Sequence, residues 1–174
     1  MKKMILAIAF LLSIFLSSCK EASANHIVIS LNQSIDTIEV GSTYLDPGAT
    51  AKYGLINLSV SVISNNVNTN ALGIYEIIYE ATHNNFIKSM KRIVTVIDET
   101  PPLIILNPGV DTIYSDESWI DAGVLVTDNS EGYITVEKIG VVLSTPGEYT
   151  ITYQAIDESG NVSSKVRYVN VIGR

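Results

Sequence analysis

Gly147-Glu148-Tyr149-Thr150-Ile151-Thr152-Tyr153-Gln154-Ala155 alternates apolar and polar side chains without a break. Tyr149, Ile151, Tyr153 and Ala155 fall on one face and Glu148, Thr150, Thr152 and Gln154 on the other, which is the period of a strand with one buried and one wet face. The same stretch stands earlier as Gly73-Ile74-Tyr75-Glu76-Ile77-Ile78-Tyr79-Glu80-Ala81, with Tyr75, Ile77, Tyr79 and Ala81 turned inward. Two copies of one strand imply two copies of one unit.

Working outward, the correspondence extends over about 75 residues in each copy. Leu31-Asn32 returns as Leu106-Asn107, Asp36-Thr37-Ile38 as Asp111-Thr112-Ile113, and Tyr44-Leu45-Asp46-Pro47-Gly48 as Trp119-Ile120-Asp121-Ala122-Gly123. Arg92 and Val94 match Arg167 and Val169. Leu58, Val60 and Val62 alternate with Ser59 and Ser61 as a further strand, and no segment after the N-terminal region carries a helical period. Short strands between turn residues predict an all-β chain of two tandem immunoglobulin-like antiparallel β-sandwiches, residues 26–98 and 99–174. Such small units are marginally stable alone. The junction Asp98-Glu99-Thr100-Pro101-Pro102 carries two prolines, which fix φ and predict a stiff, extended connection.

The N-terminus has a different composition. Lys2 and Lys3 precede an apolar run from Met4 to Leu16, followed by Ser17, Ser18 and Cys19. This is the layout of a secretory signal, residues 1–18, and the run is too short to span a bilayer as a helix, which takes roughly 20 residues. Leu16-Ser17-Ser18-Cys19 resembles the lipobox of bacterial lipoproteins, in which the cysteine thiol receives a lipid; residues 19–25 are then a tether. The resemblance implies attachment to a lipid bilayer through acylated Cys19, in the cell envelope. Lys20 in place of an aspartate implies the outer membrane or cell surface rather than the inner membrane. Removal of residues 1–18 leaves nine Lys and Arg against 18 Asp and Glu, where the whole chain has 11 against 18. A domain pair this acidic is a poor ligand for nucleic acid. Cys19 is the only cysteine, so the domains fold without disulfides.

Several stretches resemble the bacterial Ig-like domain named after pesticidal crystal proteins. They are Glu39-Val40-Gly41-Ser42-Thr43-Tyr44 followed by Asp46-Pro47-Gly48-Ala49, the Gly73-x-Tyr75-x-x-x-Tyr79-x-Ala81 strand, and the Val-x-Asp-x-Thr-Pro-Pro junction from Val96 to Pro102. The second copy keeps Asp121-Ala122-Gly123 and adds Asp157-Glu158-Ser159-Gly160-Asn161. The first departs at His83-Asn84-Asn85-Phe86, and the second at Ser115-Asp116-Glu117. The resemblance implies adhesion, ligand display or spacing rather than catalysis.

Tandem stacking places the turn holding Asp157 beside Asp98 and Glu99, and the loop of Asp128 at the same end brings four carboxylates together. Hard oxygen ligands of this kind suit calcium. Tyr53 and His83 stand at the positions of Asp128 and Asp157 in the first copy, so the acids gather at the junction alone. The competing expectation is that Asp128 and Asp157 merely shape turns while Asp98 and Glu99 lie on a solvated linker. Asp46 and Asp121 fit turn structure too. Trp119 aligns with Tyr44 and is expected in the core, whereas the unrepeated Tyr53, Tyr114 and Tyr133 are the better candidates for stacking on a sugar. His26 and His83 lack metal-ligand spacing, and no phosphate loop or nucleophile elbow occurs, so no catalytic residue is assigned. The expectation is a non-catalytic surface binding or adhesion module with a protein or glycan ligand. The alternatives are a passive spacer of the envelope and a carbohydrate-binding module.

Overall fold

The computed structural model describes residues 26–174; the lipobox residues Leu16, Ser17, Ser18 and Cys19 and the tether lie outside the described residues. The first unit comprises β1 (Ile27–Leu31), β2 (Thr37–Glu39), β3 (Ala49–Tyr53), β4 (Ile56–Leu58), β5 (Val60–Asn65), β6 (Gly73–His83) and β7 (Phe86–Ile97). The second comprises β8 (Leu103–Leu106), β9 (Thr112–Tyr114), β10 (Val124–Thr127), β11 (Thr135–Ile139), β12 (Gly147–Ile156) and β13 (Val162–Ile172). In the first unit the sheet β1-β3-β4 faces the sheet β2-β7-β6-β5; in the second, β8-β10 faces β9-β13-β12-β11. These are the tandem Ig-like sandwiches expected from the repeat.

The alternation in the two long hairpins supplies the cores. Ile77, Tyr79, Ala81, Val94 and Val96 are buried in the first unit, and Ile151, Tyr153, Ala155, Val169 and Val171 in the second. Trp119 is half-buried and packs on the Ile151–Tyr153 cluster, as its alignment with Tyr44 predicts. The expectation of a strand through Leu58, Val60 and Val62 needs correction. The chain switches sheets at Ser59, and β5 carries a bulge between Val62 and Ser64. Val62 lies ahead of the bulge, opposite buried Tyr79 and on the face of Val60, and is exposed because β5 is the edge strand of its sheet. The sheets are also mixed: β2 runs parallel to β7, and β9 parallel to β13.

Each core encloses a charge that periodicity does not reveal. Arg92 and Arg167 are each 2 % exposed. The Arg92 guanidinium donates twice to the Asp36 carboxylate, at 3.0 and 2.9 Å, and to the carbonyl oxygens of Asn32 (2.8 Å) and Gly48 (3.0 Å). Arg167 does the same with Asp111 (3.0 and 2.9 Å), Asn107 (2.7 Å) and Gly123 (3.1 Å). Tyr79 and Tyr153 donate their hydroxyls to Asp46 and Asp121. Each of these aspartates also accepts from the amide two residues on, at Gly48 (2.9 Å) and Gly123 (2.8 Å). The repeated Asn, Asp, Asp-x-Gly, Tyr and Arg positions are therefore one hydrogen-bonded unit, which ties the early loops of each copy to its last hairpin. A buried guanidinium requires such satisfaction, since desolvating it alone costs several kcal/mol.

A candidate cation site at the domain junction

The last strand of the first unit ends at Ile97, so Asp98 is the first residue beyond it, and Asp128 and Asp157 occupy the loops after β10 and β12. One carboxylate oxygen from each of Asp98, Asp128 and Asp157 lies within 4.8 Å of the others. Two oxygens on one calcium, each at about 2.3–2.6 Å, stand at most about 5 Å apart, so the spacing fits a single ion. Asp98 and Asp157 are buried, 8 % and 5 % exposed, and Asp128 is half-buried. The solvated-linker expectation thus fails for Asp98 and holds for Glu99, which is exposed and does not join the three.

The cluster is organised by turns as well. Asp98 Oδ1 accepts from the Thr100 amide (3.1 Å), Asp128 Oδ1 from the Ser130 amide (2.9 Å) and Asp157 Oδ1 from the Asn161 amide (2.8 Å). Across the junction, Asp98 Oδ2 accepts from the Ser130 (2.6 Å) and Ser159 (2.9 Å) hydroxyls, and Asn161 Nδ2 donates to the Asp98 carbonyl oxygen (3.2 Å). One oxygen is left over: among the described residues Asp128 Oδ2 is buried and has no hydrogen-bond partner. Every group in the cluster is a hard oxygen or amide donor, and an orphaned carboxylate oxygen beside two other carboxylates is what an oxygen-seeking dication requires.

Glu39 is a junction residue that sequence reasoning missed. Its Oε1 accepts from Asn129 Nδ2 (2.9 Å) and its Oε2 from the Glu99 amide (3.0 Å), so it joins the two domains beside the carboxylates. The Thr100 side-chain hydrogen bond is the largest influence on its carboxyl. With the bonds from Asn129 and Glu99 it outweighs partial burial and holds the group below the usual range. The only sequence signal is the Asn129 that follows Asp128. Of the candidate sugar platforms, Tyr133 is exposed, Tyr114 lies under the Arg174 guanidinium (4.9 Å), and the Tyr53 ring is stacked on His83 at 4.2 Å.

The family model described as bacterial surface protein, Ig-like domain, matches residues 29–96 and again 110–171. No curated protein matches the chain. Among solved structures, the protocadherin gammaB4 extracellular domain is 19% identical with a TM-score of 0.40, over 84% of this chain and 32% of that one. The lipoprotein BT2262 from Bacteroides thetaiotaomicron is 14% identical with a TM-score of 0.34, over 82% of this chain and 80% of that one. The chain thus spans about a third of the protocadherin structure.

Proposed function

The chain belongs to the family of bacterial surface proteins with Ig-like domains, and on that premise we propose that it is a non-catalytic, lipid-anchored surface module that binds a partner. The observation that carries this reading is the bonded junction. Asp98 and Glu39 of the first domain are held by Ser130, Ser159, Asn161 and Asn129 of the second, so the outer domain is presented in one orientation. Strands β5 and β11 close neither sheet and are exposed along most of their length, which leaves an edge open to an added strand. The narrower likeness to the pesticidal-crystal-protein type and acylation at Cys19 are part of the same proposal. Fatty-acid labelling that persists in Cys19→Ala would remove the anchor. Capture of the same proteins or glycans from repeated envelope and host extracts supports binding, and empty lanes favour a passive spacer.

A second reading is favoured by the orphaned Asp128 oxygen: the junction takes calcium, held by Asp98, Asp128 and Asp157. An ion at a hundred times its dissociation constant adds about 2.7 kcal/mol of stability. The chain should then melt higher with millimolar calcium than with chelator, and Asp128→Asn should lose most of that difference. A melting temperature unmoved by calcium ends this reading.

A further inference from the structure

The end of the first domain opposite the junction differs in character from the rest of the molecule. Three segments meet there: the start of β1, the β3–β4 turn at Gly54-Leu55, and the β6–β7 turn at Asn84-Asn85. Ile27 pairs with Tyr53, which brings the turn of one sheet beside the entry of the chain. The Tyr53 ring stacks on His83 from the other sheet at 4.2 Å and meets His26 edge-on at 5.9 Å, so both hairpins and the chain entry form one tip.

Among the described residues the tip carries exposed apolar side chains and no acids. Leu55 is 101 % exposed, and Ile56, Phe86 and Ile87 are exposed beside it. Residues 51–58 and 81–88 contain Lys52 and Lys88 and no Asp or Glu, although the chain carries 18 acids. The nearest acid along these strands, Glu80, pairs with Ser89 further back on the outer face. The corresponding loops of the second domain carry Asp128, Glu131, Asp157 and Glu158, and Ser130, in Leu55's place, bonds Asp98 across the junction. One loop position of the same unit is thus a serine where it meets protein and a leucine where it is fully exposed.

We propose that this tip rests on the bilayer, with Leu55 and Phe86 in the headgroup region and Lys52 and Lys88 facing anionic lipid phosphates. The proposal rests on acylation of Cys19. Seven residue steps separate Cys19 from His26, at most about 3.6 Å each, so an acylated Cys19 keeps the tip within roughly 25 Å of the membrane surface. At that range even weak insertion is favoured by the high local concentration of lipid. Apolar side chains ringed by lysine and an interfacial tyrosine suit the headgroup boundary, where rings and cationic heads stay wet while their stems are buried.

The test uses the full chain in vesicles of phosphatidylethanolamine and phosphatidylglycerol with brominated acyl chains, comparing Leu55→Trp with Leu125→Trp, an exposed site in the second domain. Trp119, the chain's one tryptophan, sets the background in the unsubstituted protein. Flotation with the vesicles and emission from Trp at position 55 quenched by about twofold or more, with position 125 unquenched, supports the proposal. Flotation without quenching at position 55 overturns the tip contact and leaves the anchor standing. Failure to float overturns both.

Discussion

The paired carboxylate of a buried arginine is the most consequential single group in the first domain, and Asp36→Ala tests this directly. The substitution removes both hydrogen bonds to Arg92, at 3.0 and 2.9 Å, together with the acceptor of the Tyr44 hydroxyl at 2.8 Å. Removing one member of a buried pair costs about 3–5 kcal/mol. Arg92 keeps two carbonyl acceptors and the Asp46 carboxylate at 3.5 Å, which places the loss near the low end, about 3 kcal/mol. The stranded Tyr44 hydroxyl adds about 1 kcal/mol. At 4–8 °C per kcal/mol for a domain of this size, a loss of about 4 kcal/mol lowers the melting temperature of the first domain by roughly 15–30 °C. Asp111→Ala cuts the matching bonds to Arg167, but Trp119 stands in Tyr44's place, so its cost stays near 3 kcal/mol. Trp119 lies in the second domain, so its fluorescence follows that domain while circular dichroism follows both. The reference is Glu76→Gln, which breaks the exposed pair with Lys91 and costs under about 1 kcal/mol. An Asp36→Ala protein that melts no lower than Glu76→Gln would refute the structural weight given to the buried arginine.

Burial, and then the bond to Asp36, push the Tyr44 phenol up to about 12 from its ordinary 10. Its contribution to stability is complete below pH 10 and is lost as pH rises toward 12, so alkaline unfolding should be shallower in Tyr44→Phe. At the acid end, Glu39 is held below its usual range, so its contribution is present above the unfolded value and fades as pH falls. Glu39→Gln should therefore flatten the acid limb of the stability profile, as followed by circular dichroism. Gly140 has φ near +112°, and a Cβ there would meet the Thr150 carbonyl oxygen, so Gly140→Ala should destabilise the second domain by about 1–3 kcal/mol or more in urea titration. Gly41, with open space around it and φ +78°, should cost only about 1 kcal/mol on the same substitution.

Much of this architecture is legible along the chain, because a strand period of two and a repeat of about 75 residues survive without any knowledge of contacts. Tyr149 to Ala155 and Tyr75 to Ala81 occupy the faces their spacing predicts. The convergence of Asp98, Asp128 and Asp157 also follows from alignment plus the rule that tandem domains enter and leave at opposite ends. The exposure of Val62 was not legible, because a strand's place at the edge of a sheet is set by tertiary pairing and leaves no mark on local composition. Glu39 was not legible either, since a residue at the end of a short strand does not announce a partner 90 positions away, and Asn129 after Asp128 signals the loop but not what it meets.

The residue pattern by itself determines what recurs locally: the strands, the duplication, the charge balance and the candidate anchor cysteine. Only the tertiary structure decides which polar groups lose water. Arg92 and Arg167 look like any surface arginine in the sequence, and become interior charges because distant loops supply aspartates and carbonyls around them. The same holds at the junction, where Asp98 reads as a linker acid in the sequence and is buried because the Ser130 and Ser159 loops of the second domain close over it, so that desolvation sets its role.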